Sequence, residues 1–251
     1  MKAEIGRPKT LQDAKYNRQR WNPLPGDVGY YLHLSDLRIA LQPFATDSSL
    51  TILDYGCGGS PYRALFPHAN YCRADIGPSD DLDYELDATG SIHAPSAMFD
   101  LILSTQVVEH VKDPAHYFAE CFRLLKNGGE LICTTHGAFE DHGCPFDYQR
   151  WTTYGLQRDL EAAGFQVTGV SKLTTGPRAL IFLIDRGWLW GPVKGVLGMA
   201  LFLVRSFFKL FRSWIHRMCD ITLVDHRVVR DKLDDHPLYV GVLIVGTKVA
   251  E

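Results

Sequence analysis

Residues 51–61 read Thr-Ile-Leu-Asp-Tyr-Gly-Cys-Gly-Gly-Ser-Pro, and this segment predicts the architecture of the chain. An apolar run ends in Asp54, and Gly56 and Gly58 follow before a predicted helix. Two glycines at this spacing allow a sharp turn and leave no Cβ atom to block a ligand lying against it. The free N–H groups of the predicted helix would face the same ligand. The segment therefore predicts a nucleotide-like ligand at the carboxyl end of the first strand of an open α/β sheet.

The glycine spacing also indicates which ligand binds. A dinucleotide fingerprint would need a third glycine at position 61, where this chain has Pro61. The pattern Asp-x-Gly-x-Gly instead resembles the class I methyltransferases, which use S-adenosylmethionine. In that family the acidic residue helps to place the charged amino-acid end of the cofactor, and the glycines pass beneath it. The resemblance implies cofactor contacts from Asp54, Tyr55, Gly56, Cys57 and Gly58.

The next segments follow the same family order. Asp75 closes a short strand-like run about 20 residues after the glycine turn, where a carboxylate is expected to bind both ribose hydroxyls. A helix N-cap or a solvated loop residue is the alternative for Asp75. Ile76 follows it, and the step Asp87-Ala88 resembles the adenine-contacting step of the family. The resemblance thus extends the predicted cofactor site to Asp75, Ile76, Asp87 and Ala88.

Two further segments resemble later parts of the family fold. Residues 99–111 resemble the fourth strand and the loop after it, so that Thr105 and Gln106 are predicted at the cofactor site. The same segment ends in Glu109-His110, for which we favour a role in loop and cofactor geometry. Residues 124–133 predict a helix that stops at the glycine pair 128–129 and is followed directly by a buried strand.

Strands and helices alternate from about residue 50 to 170, which predicts parallel strands with crossover helices. Asp113-Pro114 predicts the start of a helix over residues 115–126, and Thr152 or Thr153 is predicted to cap another. Residues 239–248 are predicted to return as the final antiparallel strand. The expected fold is α/β, a Rossmann-like seven-stranded methyltransferase sheet, mostly parallel, with a helical insertion.

Three parts of the chain are expected. Residues 1–48 are predicted to form an N-terminal helical cover, residues 49–175 and 237–251 the catalytic domain, and residues 176–236 the insertion. Within the cover, Tyr30, Tyr31 or His33 would line the substrate side of the pocket, or else form the apolar face of a docked helix. We favour the docked face.

Composition limits the functional class. Hydrophobic residues make up 46% of the chain, and the formal net charge of −3 provides no global basic field, so we expect no nucleic-acid partner. Six cysteines without a repeated spacing are typical of reduced thiols in a cytoplasmic protein. The first ten residues have no apolar core and are not expected to form a secretory signal.

The insertion carries an unusual charge pattern. Residues 186–219 contain six Lys or Arg and no Asp or Glu. Its apolar run, residues 195–204, is short of the ~20 residues that span a bilayer. A cationic amphipathic helix predicts contact with an anionic membrane surface, a lid on the catalytic domain or a dimer interface. On a helix, the basic face holds Arg205, Lys209, Arg212 and His216, and the opposite face holds Leu203, Phe207, Leu210, Trp214 and Met218.

The loop after the fifth strand is the expected source of catalytic groups, because it follows the reactive end of the cofactor. An oxygen acceptor benefits from a general base. The first candidate is His142, oriented by Asp147, and the second is His136. Residues 142–156 also resemble a signature of methyltransferases from bacterial surface-polysaccharide clusters. A purely structural role for His142 and Asp147 remains an alternative.

No metal site is expected. Cys133, His136, His142 and Cys144 lie within 12 residues, but their spacing matches no usual zinc pattern. The predicted activity is O-methylation of a glycan or lipid-linked saccharide at the cytoplasmic membrane surface. Methylation of a quinone, a lipid headgroup or another small molecule, and a non-catalytic cofactor-binding subunit, are the alternatives. The sequence leaves the oligomeric state open.

Overall fold

One mixed β-sheet organises the chain, in a computed structural model that describes residues 11–27, 29–77, 81–187 and 194–249. The strands are β1 (Thr51–Tyr55), β2 (Asn70–Ile76), β3 (Tyr84–Leu86), β4 (Phe99–Thr105), β5 (Leu125–His136), β6 (Gln166–Thr175), β7 (Val228–Val229) and β8 (Tyr239–Thr247). The α-helices of the described residues are α1 (Leu11–Trp21), α2 (Tyr31–Leu41), α3 (Pro114–Leu124), α4 (Thr153–Ala162), α5 (Gly176–Arg186) and α6 (Gly195–Thr222).

The strand order across the sheet is β3-β2-β1-β4-β5-β8-β6-β7. The first five strands pair in parallel, and β8 lies antiparallel between β5 and β6. This arrangement confirms the predicted Rossmann-like fold with its antiparallel last strand. The described residues contain one strand more than predicted, because the two-residue β7 pairs with β6 at the edge.

Alternate residues of each central strand pack on opposite faces of the sheet, as the twofold side-chain period of a strand requires. On one face, Leu53 and Tyr55 pack with α3 and α4 in a large apolar cluster. On the other face, Ile52 packs with Leu37 of α2. Helices on both faces therefore bury the strands and fix the direction of the strand ends.

The α-helix predicted directly after the glycine turn is absent from the described residues 56–69, so that prediction was wrong. This segment forms turns and one short 3₁₀ segment, Arg63–Leu65. Gly58 and Ser60 both have positive φ angles, of 49° and 53°, which a right-handed helix does not accommodate. The predicted contribution of helix N–H groups to ligand binding is withdrawn with that helix.

The helix predicted over residues 115–126 ends earlier. Asp113 caps α3 as predicted, accepting a hydrogen bond from the His116 N–H at 3.1 Å, but the helix stops at Leu124. Leu125 already pairs with Phe99 in the sheet, and Lys248 Nζ donates to the Leu125 carbonyl at 2.9 Å. The glycine pair 128–129 therefore lies inside β5 rather than at a helix end. At the other predicted cap, Thr152 accepts from the Gly155 N–H at the start of α4.

Buried charges hold α2, α5 and α6 together. Arg178 of α5 donates to Asp36 of α2 at 2.7 and 2.8 Å and to Asp220 of α6 at 2.9 Å. Arg178 and Asp36 are fully buried. Tyr31 donates to Asp220 and stacks on His216, so its side chain contacts α6 rather than the strand ends. Removing one partner of such a buried pair would leave an uncompensated charge and strongly destabilise the protein. These ion pairs therefore stabilise the contact between the three helices.

The apolar face of α6 is exposed. Leu203 and Leu210 are 60% and 78% exposed, and Phe207 and Trp214 are also open to solvent. The basic face partly contacts the protein, because His216 is buried and Arg212 donates to Asp185 at 2.9 Å. A lid packed through its apolar face is therefore not what this helix forms. The pair Trp188 and Trp190 lies outside the described residues.

No helix within the described ranges is both long enough and apolar enough to cross a membrane. All six cysteines are free thiols.

Candidate active site

Because β1 to β5 run in parallel, their carboxyl ends meet along one edge of the sheet. This edge brings together the residues that the sequence placed at the cofactor site. They lie in or directly after the last residues of β1 (Asp54 to Gly58), β2 (Asp75 and Ile76), β3 (Asp87 and Ala88) and β4 (Thr105 and Gln106).

The turn after β1 requires its glycines. Gly56 has a φ angle of 77°, and a Cβ atom there would lie 2.7 Å from the side chain of Val107. Gly58 has a φ angle of 49°, and a Cβ atom there would meet no atom within 4 Å. Gly56 thus allows close packing, whereas Gly58 borders open space in which a ligand fits.

Asp75 faces that open space. Its Oδ2 accepts the Gly58 N–H at 2.6 Å, and its Oδ1 accepts the Ile76 N–H at 2.8 Å. Each carboxylate oxygen can accept more than one hydrogen bond, so both remain available to a pair of ribose hydroxyls. The neighbouring Ile76 is 41% exposed and offers an apolar surface for a flat base. These residues fit the ribose and base of an adenosyl group.

Asp54 is buried at the end of β1. Its Oδ2 accepts the Tyr71 hydroxyl at 2.8 Å, and burial raises the pKa of its carboxyl to about 7. A cationic amino group bound nearby would compensate this desolvation and favour the ionised form. The carboxyl therefore fits the charged end of an aminoacyl cofactor, as the resemblance implies.

Tyr55 and Cys57 differ from the other predicted contacts. The ring of Tyr55 is fully buried, stacks on Tyr117 and donates its hydroxyl to the Gly90 carbonyl. Only its main chain lies at the turn. Cys57 is also buried, with its thiol 3.9 Å from Asp75 Oδ2. Tyr55 therefore supports the turn from beneath, and any cofactor contact from it would involve backbone atoms.

Asp87 and Ala88 lie in the loop after β3. Asp87 Oδ1 accepts N–H groups from Thr89 and Ser91 at 2.8 and 3.0 Å. These bonds lower the pKa of the Asp87 carboxyl, the largest cause being the Thr89 hydroxyl. The loop is thus held in a fixed turn at the edge where the base is expected.

A second group of polar residues follows β4 and β5. Gln106 has a φ angle of 58°, and its N–H donates to the Thr134 carbonyl at 2.9 Å. Its side-chain oxygen lies 3.2 Å from His33 Nε2 of α2. His33 is therefore at the site, as one of the two alternatives predicted, and burial lowers its pKa to about 4.

Glu109, His136 and His142 form a compact cluster beyond Gln106. Glu109 Oε1 lies 3.2 Å from His136 Nε2 and 4.0 Å from His142 Nε2. Burial raises the pKa of Glu109 and lowers the pKa values of both imidazoles. Both histidines therefore favour the neutral form, in which one ring nitrogen carries a lone pair.

Asp147 and Arg150 hold His142 in place. Asp147 accepts the His142 N–H at 2.8 Å, and its Oδ2 lies 3.4 Å from His142 Nδ1. Arg150 donates two hydrogen bonds to the same carboxylate, at 2.6 and 2.7 Å, and these bonds lower the pKa of Asp147 to about 2. The geometry agrees with the predicted orienting role of Asp147.

The side chains of Tyr30, Phe139, Glu140 and Arg186, together called the roof, cover this end of the site. Phe139 stacks on His136 with ring centroids 3.7 Å apart, and Tyr30 stacks on Phe139 at 5.9 Å. Arg186, at the end of α5, pairs with Glu140 and donates to the Tyr30 hydroxyl at 2.8 Å. The roof combines Phe139 and Glu140 of the loop after β5 with Tyr30 of the cover and Arg186 of the insertion, so both appended segments help to enclose the space beside the histidines.

Sequence reasoning missed the position of Glu109. The sequence favoured a role in loop and cofactor geometry for Glu109-His110. In the structure, Glu109 is buried against both candidate bases. The four residues considered as zinc ligands do not converge, since Cys133 is buried within β5 and Cys144 is exposed. The signal in the sequence was an acidic residue directly before His110, in the short segment that follows the buried strand β4.

Comparison with known proteins identifies the family. A family model described as a methyltransferase domain matches residues 31–170, which is more than half of the chain. The chain therefore carries a methyltransferase domain, and its sheet has a Rossmann-like strand order. It belongs to this methyltransferase domain family.

The curated relatives match over part of the chain. Ubiquinone biosynthesis O-methyltransferase of Cereibacter sphaeroides is 35% identical over 103 residues, which cover 34% of this chain and 41% of the relative. The protein of the same name from Maricaulis maris is 36% identical over 103 residues, covering 34% and 40%. The chain thus spans less than half the length of these relatives.

Solved structures support the fold over most of the chain. The [4+2]-cyclase SpnF has a TM-score of 0.54 at 19% identity, covering 90% of this chain and 84% of its own. Phosphoethanolamine N-methyltransferase 2 of Haemonchus contortus, in complex with S-adenosyl-L-methionine, has a TM-score of 0.52 at 15% identity, covering 94% and 56%. At these identities the likeness concerns the fold.

Proposed function

We propose that this methyltransferase transfers a methyl group to an oxygen atom of a glycan or lipid-linked saccharide at the cytoplasmic face of a membrane. The observation that carries the proposal is the cluster of Glu109, His136 and His142 at the acceptor end of the site. An alcohol oxygen attacks more readily when a neighbouring group accepts its proton. The cluster supports the proposal because it offers such a group beside the expected cofactor site.

S-adenosylmethionine supplies the methyl group, and this chain binds and aligns the reactants. Asp75 and Asp54 hold the two polar ends of the cofactor, and Gly58 gives it room. His142, with its Nδ1 beside Asp147, directs Nε2 toward the acceptor space and is the first candidate base; His136 is the second. The aromatic rings of the roof, Tyr30 and Phe139, together with the adjacent Phe182, exclude water, which favours the in-line transfer.

The membrane part of the proposal rests on α6. Its exposed apolar side chains flank exposed Arg205 and Lys209, in a segment with no acidic residue between 186 and 219. A helix with an apolar face and flanking cations binds the surface of an anionic bilayer. Asp185 of α5 contacts Arg212 and His216, and the adjacent Arg186 belongs to the roof. Membrane contact would therefore lie next to the acceptor space.

Co-sedimentation with liposomes tests the membrane contact. Reversing the charges of Arg205, Lys209 and Arg217 should release the protein from vesicles containing phosphatidylglycerol. Arg212 stays unchanged because it pairs with Asp185. Leu180→Ser, an exposed apolar residue on α5, serves as the matched control and should still sediment. Failure of the wild-type protein to sediment would contradict the membrane proposal, and concentration-dependent dimerisation by light scattering would favour the dimer alternative.

A transfer assay tests the acceptor. The protein is incubated with methyl-labelled S-adenosylmethionine and, separately, with nucleotide sugars, lipid-linked saccharides and hydroxylated quinone precursors. We expect an alkali-stable, ether-type methyl product from the saccharide set. Labelling of the quinone precursors alone would replace the glycan acceptor by the second candidate.

That second candidate, O-methylation of a quinone, is favoured by one specific observation. The matching curated relatives are named ubiquinone biosynthesis O-methyltransferases, although the match spans only 103 residues. An aromatic roof and an exposed apolar helix also suit a membrane-soluble ring. Both candidates require an oxygen acceptor, so the cluster of Glu109 and the two histidines has the same task in each.

A further inference from the structure

The cluster beyond Gln106 has the composition and spacing of a metal site. The ligand atoms of Glu109, His136 and His142 all lie within 4.8 Å of one another, and the closest pair is 3.2 Å apart. Atoms that share one ion lie about 3.0–3.5 Å apart, because zinc bonds to nitrogen and oxygen are about 2.0–2.2 Å long. Small side-chain rotations would therefore bring all three atoms onto a single ion.

One carboxylate oxygen in this cluster has no hydrogen-bond partner. Glu109 is fully buried, and its Oε2 accepts the Thr135 hydroxyl at 2.9 Å. Its Oε1 accepts no hydrogen bond, although His136 Nε2 lies 3.2 Å away. A buried acceptor without a partner is destabilising, and more so when it is charged. Such an atom indicates a partner outside the protein, an ion or a water molecule.

His142 has the outer-sphere support that metal-binding histidines need. Asp147 Oδ2 lies 3.4 Å from its Nδ1, and Arg150 fixes Asp147 through two hydrogen bonds. The Glu140 carbonyl oxygen also lies 3.3 Å from Nδ1. A carboxylate or carbonyl at one ring nitrogen sets the tautomer and directs the other nitrogen toward the ion. The side chain of His142 is 26% exposed, which gives an ion a path from solvent.

We propose that Glu109, His136 and His142 bind one divalent transition-metal ion. Two imidazoles and one carboxylate favour zinc, manganese, iron or cobalt over calcium and magnesium, which prefer oxygen ligands. Three protein ligands leave a coordination position open. This ligand set does not follow from local spacing in the sequence, because Glu109 lies far from the two histidines in the chain.

The catalytic role of the ion, unlike the binding itself, rests on the proposed function. A hydroxyl group of the acceptor that binds the open position would lose its proton more readily, because the ion stabilises the resulting oxyanion. His136 and His142 would then be ligands, and the proton would pass to solvent rather than to an imidazole. In the metal-free protein the same histidines retain the role of candidate base.

Metal titration of the full chain, freed of metal by chelation, tests the binding. We expect one Zn²⁺ per chain by calorimetry and a visible absorbance band for Co²⁺. Glu109→Gln, which keeps the shape and the bond to Thr135, should weaken binding by at least 100-fold. Asp147→Asn should weaken it by about 10–100-fold, the usual effect of losing an outer-sphere partner. Circular dichroism of each variant establishes that it folds.

The control uses a histidine pair that lies outside the cluster. His226 and His236 have ring centroids 5.5 Å apart, so His226→Ala removes a competing surface site and should leave the high-affinity binding unchanged. Absence of saturable binding, or binding that is lost in His226→Ala and kept in Glu109→Gln, would overturn the proposal.

The transfer assay separates this proposal from the proposed function. Absence of saturable metal binding, together with methyl transfer by the chelated protein, would overturn the metal site and leave the O-methyltransferase intact. Stoichiometric binding combined with transfer that is insensitive to chelation would overturn the catalytic role of the ion. Metal binding without transfer to any oxygen acceptor would contradict the proposed function and support the site.

Discussion

The two halves of the active site are built in different ways. The cofactor half consists mainly of main-chain turns and carboxylates at the ends of β1 to β4, and its largest single contribution comes from one short segment, residues 54–58. The acceptor half combines side chains from α2, the loops after β4 and β5, and the insertion. His33, Glu109, His136 and His142 meet there although up to 109 positions separate them along the chain.

This difference follows from what each half binds. A cofactor shared by a whole family needs a constant backbone shape, which glycines and two carboxylates supply. An acceptor differs between enzymes, so its contacts come from loops and appended segments that can change without disturbing the sheet. We therefore expect substitutions in each half to alter one function and spare the other.

The largest expected effect separates the halves at His142. His142→Ala should lower kcat for methyl transfer by about 10²–10⁴-fold, the usual contribution of a positioned proton acceptor. The affinity for S-adenosylhomocysteine should remain within about twofold by calorimetry, because His142 lies at the acceptor end. His116→Ala, a histidine bonded to Ser91 on the surface, is the control and should keep full activity. A loss of cofactor affinity as large as the loss of kcat would contradict the division of the site into two halves.

The converse experiment uses Asp75. Asp75→Ala should weaken cofactor binding by about 100-fold, since a hydrogen bond to a charged group contributes about 1.5–3 kcal/mol. The fold should persist, because the Asp75 side chain bonds to Gly58, Ile76 and the Cys57 thiol of the described residues, all at the carboxyl ends of β1 and β2. Turnover at saturating cofactor should change little. Glu85→Ala on the neighbouring strand is the control, and unchanged affinity in Asp75→Ala would refute the ribose assignment.

A smaller, pH-dependent effect is expected at Asp54. Burial raises the pKa of its carboxyl to about 7, so the group is protonated below that pH in the free protein. The ammonium of the cofactor favours the ionised form, and binding should therefore weaken as pH falls from 8 to 6, by at most about tenfold per unit. Calorimetry with S-adenosylhomocysteine measures this slope. Asp54→Asn should flatten it, and a slope that persists in the variant would assign the titration to another group.

The same contrast explains how much the sequence could predict. Asp54, Gly56, Gly58 and Asp75 were recognisable because each acts through its place in a short motif, and the structure brings them to one edge. The helix expected after the turn was wrong because Ser60 adopts a positive φ angle, which its residue type does not predict. The parallel direction of the central strands followed from the alternation of strands and helices, and the antiparallel last strand followed from the family resemblance.

The acceptor half was harder to predict because its contacts are long-range. Glu109 acquires its role only when β4 and β5 pair and bring it against His136. The direction of the apolar face of α6 depends on Asp185, which pairs with Arg212 and His216 from another helix. Helical periodicity gives the two faces of α6, whereas the contact that orients them lies outside its sequence.

A crystal structure of the protein with S-adenosylhomocysteine tests the two-sided site most directly. We predict that the ribose hydroxyls bind the Asp75 carboxylate. The sulfur atom should point toward Gln106 and the cluster of Glu109, His136 and His142. A sulfur atom directed away from that cluster, or a ribose bound elsewhere, would contradict this prediction.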